Sequence, residues 1–143
     1  MNASLASGQP ISGEDRTHAA ATHLLGAVVG VFTAGFLLPV LATTLVLVFN
    51  SSRHPFVLFH VNQAAWFQLL VSITAVVAGV LFGFLYLVTC GVGLILLPLV
   101  LIPWSLSVAI PAWLAFRAYR GEWAGYPLLG DWVLDQEHPF VDG

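Results

Sequence analysis

Two long stretches carry no formally charged side chain, residues 19–49 and 54–116, and a short polar loop separates them. As a single helix the first would extend about 46 Å, well beyond the roughly 30 Å of bilayer hydrocarbon. Pro39 is the natural break, since it lacks an amide donor and crowds the preceding turn. Ahead of it Thr22, Gly26, Gly30 and Ala34 recur every four residues and form a face of small side chains on which another helix can approach closely. The pattern therefore predicts either one kinked crossing or a helix-break-helix hairpin over residues 19–37 and 39–49.

Asn50, Ser51, Ser52, Arg53 and His54 form a loop closed by Pro55, a residue suited to starting a helix. The next segment, about 56–89, holds a second small-residue ladder at Ala75, Gly79 and Gly83. His60, Ala64, Phe67, Val71 and Ala78 lie on a different face, so neighbours are expected on two sides. Cys90 to Gly93 reads as a tight turn, and residues 94–118 return antiparallel with Pro98, Pro103 and Pro111. Ser105 and Ser107 stand near enough to re-satisfy carbonyls that the prolines free, and a bend or an unwound turn is expected near Pro103. Arg117, Arg120, Trp123 and Tyr126 read as an interfacial belt, with Gly121 as helix stop.

The expected fold is an all-α integral membrane protein, a compact bundle of about four hydrophobic segments whose first two are short and whose last two form a transmembrane hairpin. Three simple crossings are the alternative. The hairpin version places all four arginines on one face, consistent with the positive-inside bias, and either version leaves the C-terminus cytoplasmic. Residues 1–18 read as a mobile, uncleaved polar tail, 19–126 as the membrane domain and 127–143 as an acidic tail.

Composition narrows the function classes. Hydrophobic residues make up 59% of the chain and charged ones 8%, with four arginines and no lysine, which leaves no nucleic-acid footprint. The single cysteine, Cys90, cannot close an internal disulfide, and no Cys/His spacing resembles a zinc site, so no metal or cofactor is expected. Acidic residues are confined to Glu14, Asp15 and the segment after Arg120, and no nucleophile stands beside a His and an acid; catalysis is not expected. His23, His60, Asn62, Gln63 and Gln68 must find partners, because an unpaired polar group in lipid costs several kcal/mol. They read as an interhelical network that pins helix register, or alternatively as a polar pathway. His23 facing His60 as an axial ligand pair is a further, less favoured option.

Thr22-His23-Leu24-Leu25-Gly26, Pro39, the stretch Pro55-Phe56-Val57 through His60, Gln63-Ala64 and Phe67-Gln68, then Ala118-Tyr119-Arg120-Gly121-Glu122 and Tyr126-Pro127 together resemble the Tic-twenty-like family. These are small bacterial membrane proteins of unknown function, described as similar to a channel component of the chloroplast import machinery. The likeness covers residues 17–127 and implies a four-segment bundle in the bacterial cytoplasmic membrane, with no reaction attached. The expected role is a non-enzymatic accessory or scaffold subunit in contact with lipid and with other membrane subunits or further copies. A channel or translocator component lined by His60, Gln63 and Gln68 is the alternative. Helix packing is assigned to Gly26, Gly30, Ala75, Gly79 and Gly83.

Overall fold

A computed structural model describes residues 10–32, 38–49 and 54–127. Among them stand four α-helices, α1 (Gly13–Phe32), α2 (Leu38–Phe49), α3 (Pro55–Val88) and α4 (Leu97–Tyr119), with a 3-10 helix, Val92–Leu96, leading into α4. No strand occurs among the described residues. The expected N-terminal tail up to residue 9, Ala34, Arg53 and the acidic tail from residue 128 lie outside them.

Helix α1 begins at Gly13, ahead of the expected Ala19, because Ser12 and Asp15 cap it reciprocally. The Asp15 amide donates to Ser12 Oγ at 3.1 Å and the Ser12 amide donates to Asp15 Oδ2 at 3.0 Å. Glu14 and Asp15 also place negative charge on the first turn, where the helix dipole favours it.

Both long helices end in paired C-terminal hydrogen bonds. At α3 the Gly91 amide reaches Tyr86 O at 2.9 Å and the Cys90 amide reaches Leu87 O at 3.3 Å. Cys90 itself takes the left-handed conformation, at φ 50°. Thr89 clasps this turn, its Oγ1 donating to Leu85 O at 2.7 Å and accepting from the Gly93 amide at 2.8 Å. At α4 Gly121, φ 79°, is the expected stop, with Glu122 N bonded to Arg117 O at 3.1 Å.

Pro98 falls in the first turn of α4, and Pro103 and Pro111 lie inside a continuous helix, so no unwinding occurs at Pro103. Nor do the serines serve the carbonyls the prolines free. Ser105 donates to Leu101 O at 2.8 Å and Ser107 to Trp104 O at 2.7 Å, each back-bonding within its own turn.

Ala19, Ala20, Phe56, Ala115 and Ala118 form one buried cluster, which brings the starts of α1 and α3 and the end of α4 to the same end of the molecule. The chain that leaves along α1 therefore returns through α2 before α3 begins. This is the helix-break-helix path, and of the described helices α3 and the run Val92–Tyr119 are long and apolar enough to cross a membrane. Arg16 sits at this end too, so close over Gly121 that a Cβ there would meet its Nε at 3.1 Å. α1 packs along α4 and α3, and α2 along α3 and α1, building a four-helix head.

Beyond the head, α3 and α4 barely touch and project as an apolar arm whose Val80, Leu81, Phe84, Leu87, Ile95 and Leu99 are all exposed. The glycine ladders divide accordingly. Gly26 is buried, and a Cβ there would come within 2.5 Å of Gln68 Nε2; Gly30 is half-buried. Ala75 and Gly79 instead face a cleft between α3 and α4. Nothing lies within 4 Å of a Cβ built on Gly79 or Gly83, so among the described residues these two glycines make no helix contact. Small residues permit backbones to approach but supply no attraction of their own.

Candidate functional site

The polar side chains of α1 and α3 meet in the head. His23, the eleventh residue of α1, and His60, one turn into α3, point at each other because the two helices start side by side. His23 Nε2 and His60 Nδ1 are 3.0 Å apart, and the ring centroids 5.2 Å apart at 85°. One proton lies between those nitrogens, so one ring donates and the other accepts. On its other side His23 Nδ1 is 2.9 Å from Tyr126 Oη. If the tyrosine hydroxyl donates there, His23 donates on to His60 Nδ1 and the remaining imidazole proton sits on His60 Nε2. Burial pushes the Tyr126 phenol above its usual range, so it keeps its proton.

Tyr126 belongs to the segment after α4, which the glycine stop turns back across the head. Its ring stacks on Phe67 at 4.1 Å and 13°, and its amide donates to Gln63 Oε1 at 2.8 Å. Tyr126 is 2% exposed, so it is a core residue and not the interfacial anchor expected from its position. Trp123 departs from the belt in the same way, packing its half-buried ring on Phe56 and Phe59 at 5.2 and 5.1 Å. Both burials follow from the path of this returning segment, which lays Tyr126 beside His23 and Phe67 and Trp123 beside Phe56 and Phe59.

Arg117 and Arg120 do stay at the surface. Both bond Glu122, at 2.6 and 3.2 Å, and lie over the Trp113 and Phe116 rings. The hydrogen bond from Arg117 is the main reason the Glu122 carboxyl sits below its ordinary range, with the Arg120 charge adding to it.

Among the other expected site residues, Gln68 is buried against Gly26 and Asn62 is half-buried beside Gln63. His60, Gln63 and Gln68 are all buried, and among the described residues they line no open path. The imidazoles bond each other directly, which leaves no gap for a haem between them. Among the described residues no group of three or more His, Cys, Asp or Glu could hold a metal ion. His60 Nε2, Gln63 Nε2 and Trp123 Nε1 are buried without a bonded partner among those residues, although the Glu122 carbonyl faces His60. The arrangement joins two helices to a distant loop, and among the described residues no carboxylate enters it.

The model of the magnetosome magnetite crystal formation protein family, MamF and MmsF, matches residues 14–133. No curated protein and no solved structure matches. The match corrects the Tic-twenty-like assignment. The residues behind that likeness, among them Pro55, His60, Gln63 and Gly121, start a helix, stop a helix or close the head, and such architectural positions do not separate one family of small helical membrane proteins from another.

Proposed function

Because the chain belongs to the magnetosome magnetite crystal formation protein family, we propose that it is a non-enzymatic, multi-pass accessory protein of a bacterial magnetosome membrane. In this role it supports crystal formation as a scaffold. Its partners are membrane lipid and other membrane subunits or further copies of itself.

The observation that carries this reading is the pairing of a closed polar head with an exposed apolar arm of bilayer dimensions. Phe67 and Ile110 pack against the same cluster, and Leu85 lies against Gly93, so α3 and α4 run antiparallel in step and Trp66 and Trp113 share one level. Both are about half exposed, as is Tyr86 near the Cys90 turn. From Trp66 to Tyr86 the helix rises about 30 Å, the thickness of the hydrocarbon, and Trp and Tyr favour its two boundaries. His60 then stands about 9 Å outside that boundary, and Arg117 and Arg120 outside it on the same side. The head is thus a rigid platform at one membrane surface, which is the cytoplasmic one if the positive-inside bias sets the orientation.

Deletion of the gene in a magnetite-forming host, with complementation, tests the proposal. Electron microscopy is expected to show altered crystal size or number in the deletion strain. The wild-type protein should restore the parent distribution, and a His23→Ala, Tyr126→Ala variant with a disrupted head should not. Crystals indistinguishable from the parent's in the deletion strain would remove the proposal.

A further inference from the structure

The cleft between α3 and α4 runs from the level of Phe67 and Ile110 to that of Phe82 and Leu97, is open along one side, and has a volume of about 390 Å³. Its length along α3 is about 22 Å. One leaflet of hydrocarbon is about 15 Å deep, half the bilayer core, and the cleft accommodates a chain of that length. Its lining is apolar apart from Thr74, Ser107 and the Trp104 indole, and Ser107 Oγ is already bonded to Trp104 O at 2.7 Å. It has no cation with which to receive the acidic C-terminal segment, where Asp131, Asp135, Glu137 and Asp142 fall.

We propose that this cleft seats a single acyl chain of a membrane phospholipid, running beside Ala75, Gly79 and Trp104. The inference rests on the membrane placement given above. The missing side chain of Gly79 and the single methyl groups of Ala75 and Ala78 then make room for a lipid chain, which accounts for the part of the second small-residue ladder that lines the cleft. The splay of α3 from α4 is held open by the lipid and closed at the head by Tyr126, Phe67 and Leu114.

Gly79→Leu is the test, because a Cβ at that position meets nothing and the new side chain enters the cleft without disturbing the backbone. Gly83→Leu meets equally open space but lies outside the lining, and is the control. The full chain, purified in detergent with phosphatidylcholine, is examined by native mass spectrometry. The wild type and Gly83→Leu are expected to retain one phospholipid per chain and Gly79→Leu to lose it. In vesicles of acyl-brominated phosphatidylcholine, versions keeping only Trp104 or only Trp66 report contact separately. Trp104 should lose most of its quenching in Gly79→Leu while Trp66 stays quenched. Equal lipid retention and equal Trp104 quenching with and without Gly79→Leu would overturn the proposal, as would a wild-type Trp104 shielded from bromine while Trp66 is quenched. Absence of quenching at both tryptophans would instead take away the membrane placement, and the lipid seat with it.

Discussion

Tyr126→Phe isolates one hydroxyl in a closed site. The ring can keep its stack on Phe67 and the backbone amide its bond to Gln63 Oε1, while the 2.9 Å contact with His23 Nδ1 is lost. A hydrogen bond of this kind contributes about 1 kcal/mol net, and leaving a buried partner unsatisfied adds about 1–3 kcal/mol. His23 is 1% exposed and its other nitrogen is already committed to His60, so no substitute partner is at hand. The expected loss is therefore about 2 kcal/mol, larger than the average of about 0.6 kcal/mol for polar contacts within a bilayer, where unfolded helices find other partners. Unfolding in mixed dodecyl sulfate and mild detergent, followed by circular dichroism, measures it. A double-mutant cycle with His23→Leu then separates the bond from packing, with an expected coupling of about 1 kcal/mol. If the two changes add to within about 0.4 kcal/mol, the chain of bonds is not what holds the head together.

Four further outcomes follow from the same structure. Gly26→Ala should destabilise by about 1–3 kcal/mol, because the buried Gln68 side chain must move, whereas Gly83→Ala should be neutral or stabilising by up to about 1 kcal/mol; the same unfolding assay compares them. Ser12→Ala should remove about 1 kcal/mol from the start of α1 and speed amide hydrogen exchange over residues 13–18. The Glu122 carboxyl, held low chiefly by Arg117, contributes stability above the unfolded value of about 4.3 that is lost as pH falls through its lower folded value. Amide protection at residues 121–126, taken relative to intrinsic exchange at each pH, should therefore fall only in acid below that range, and a loss of protection already between pH 5 and 7 would count against the Arg117 bond as the cause. Cys90, exposed in the turn opposite the head, should react with an impermeant maleimide from the membrane face opposite the one that exposes a tag placed ahead of Ser12; labelling of both from one side would contradict the four-segment path.

Much of the architecture is legible in the sequence because it follows from lengths. Uncharged runs, Pro39, the Cys90 turn and Gly121 place the helices to within a few residues, and a hairpin in the first run is what gathers the arginines at one end. The start of α1 was legible too, in the Ser12 and Asp15 spacing, but a polar stretch before an apolar one reads more readily as a tail. The cost of an unpaired polar group in lipid brought His23, His60, Gln63 and Gln68 forward as groups in need of partners, yet it could not supply Tyr126. An aromatic after the last helix satisfies an interfacial anchor and a buried donor equally well, and only the path of the chain beyond Gly121 decides between them. Gly79 and Gly83 show the complementary limit: a pattern of small side chains records what a surface allows, while its occupant depends on how far the prolines and the head hold α4 away from α3.

The bond between His23 and Tyr126 joins residues 103 positions apart, which has a consequence for biogenesis. As the chain leaves the ribosome, α1 must wait until α3, α4 and the turn at Gly121 have been synthesised, and the histidine pair acquires its lid only when the returning segment emerges. Insertion of the arm thus precedes closure of the head, and a chain cut short before Tyr126 would reach the membrane with that lid permanently missing.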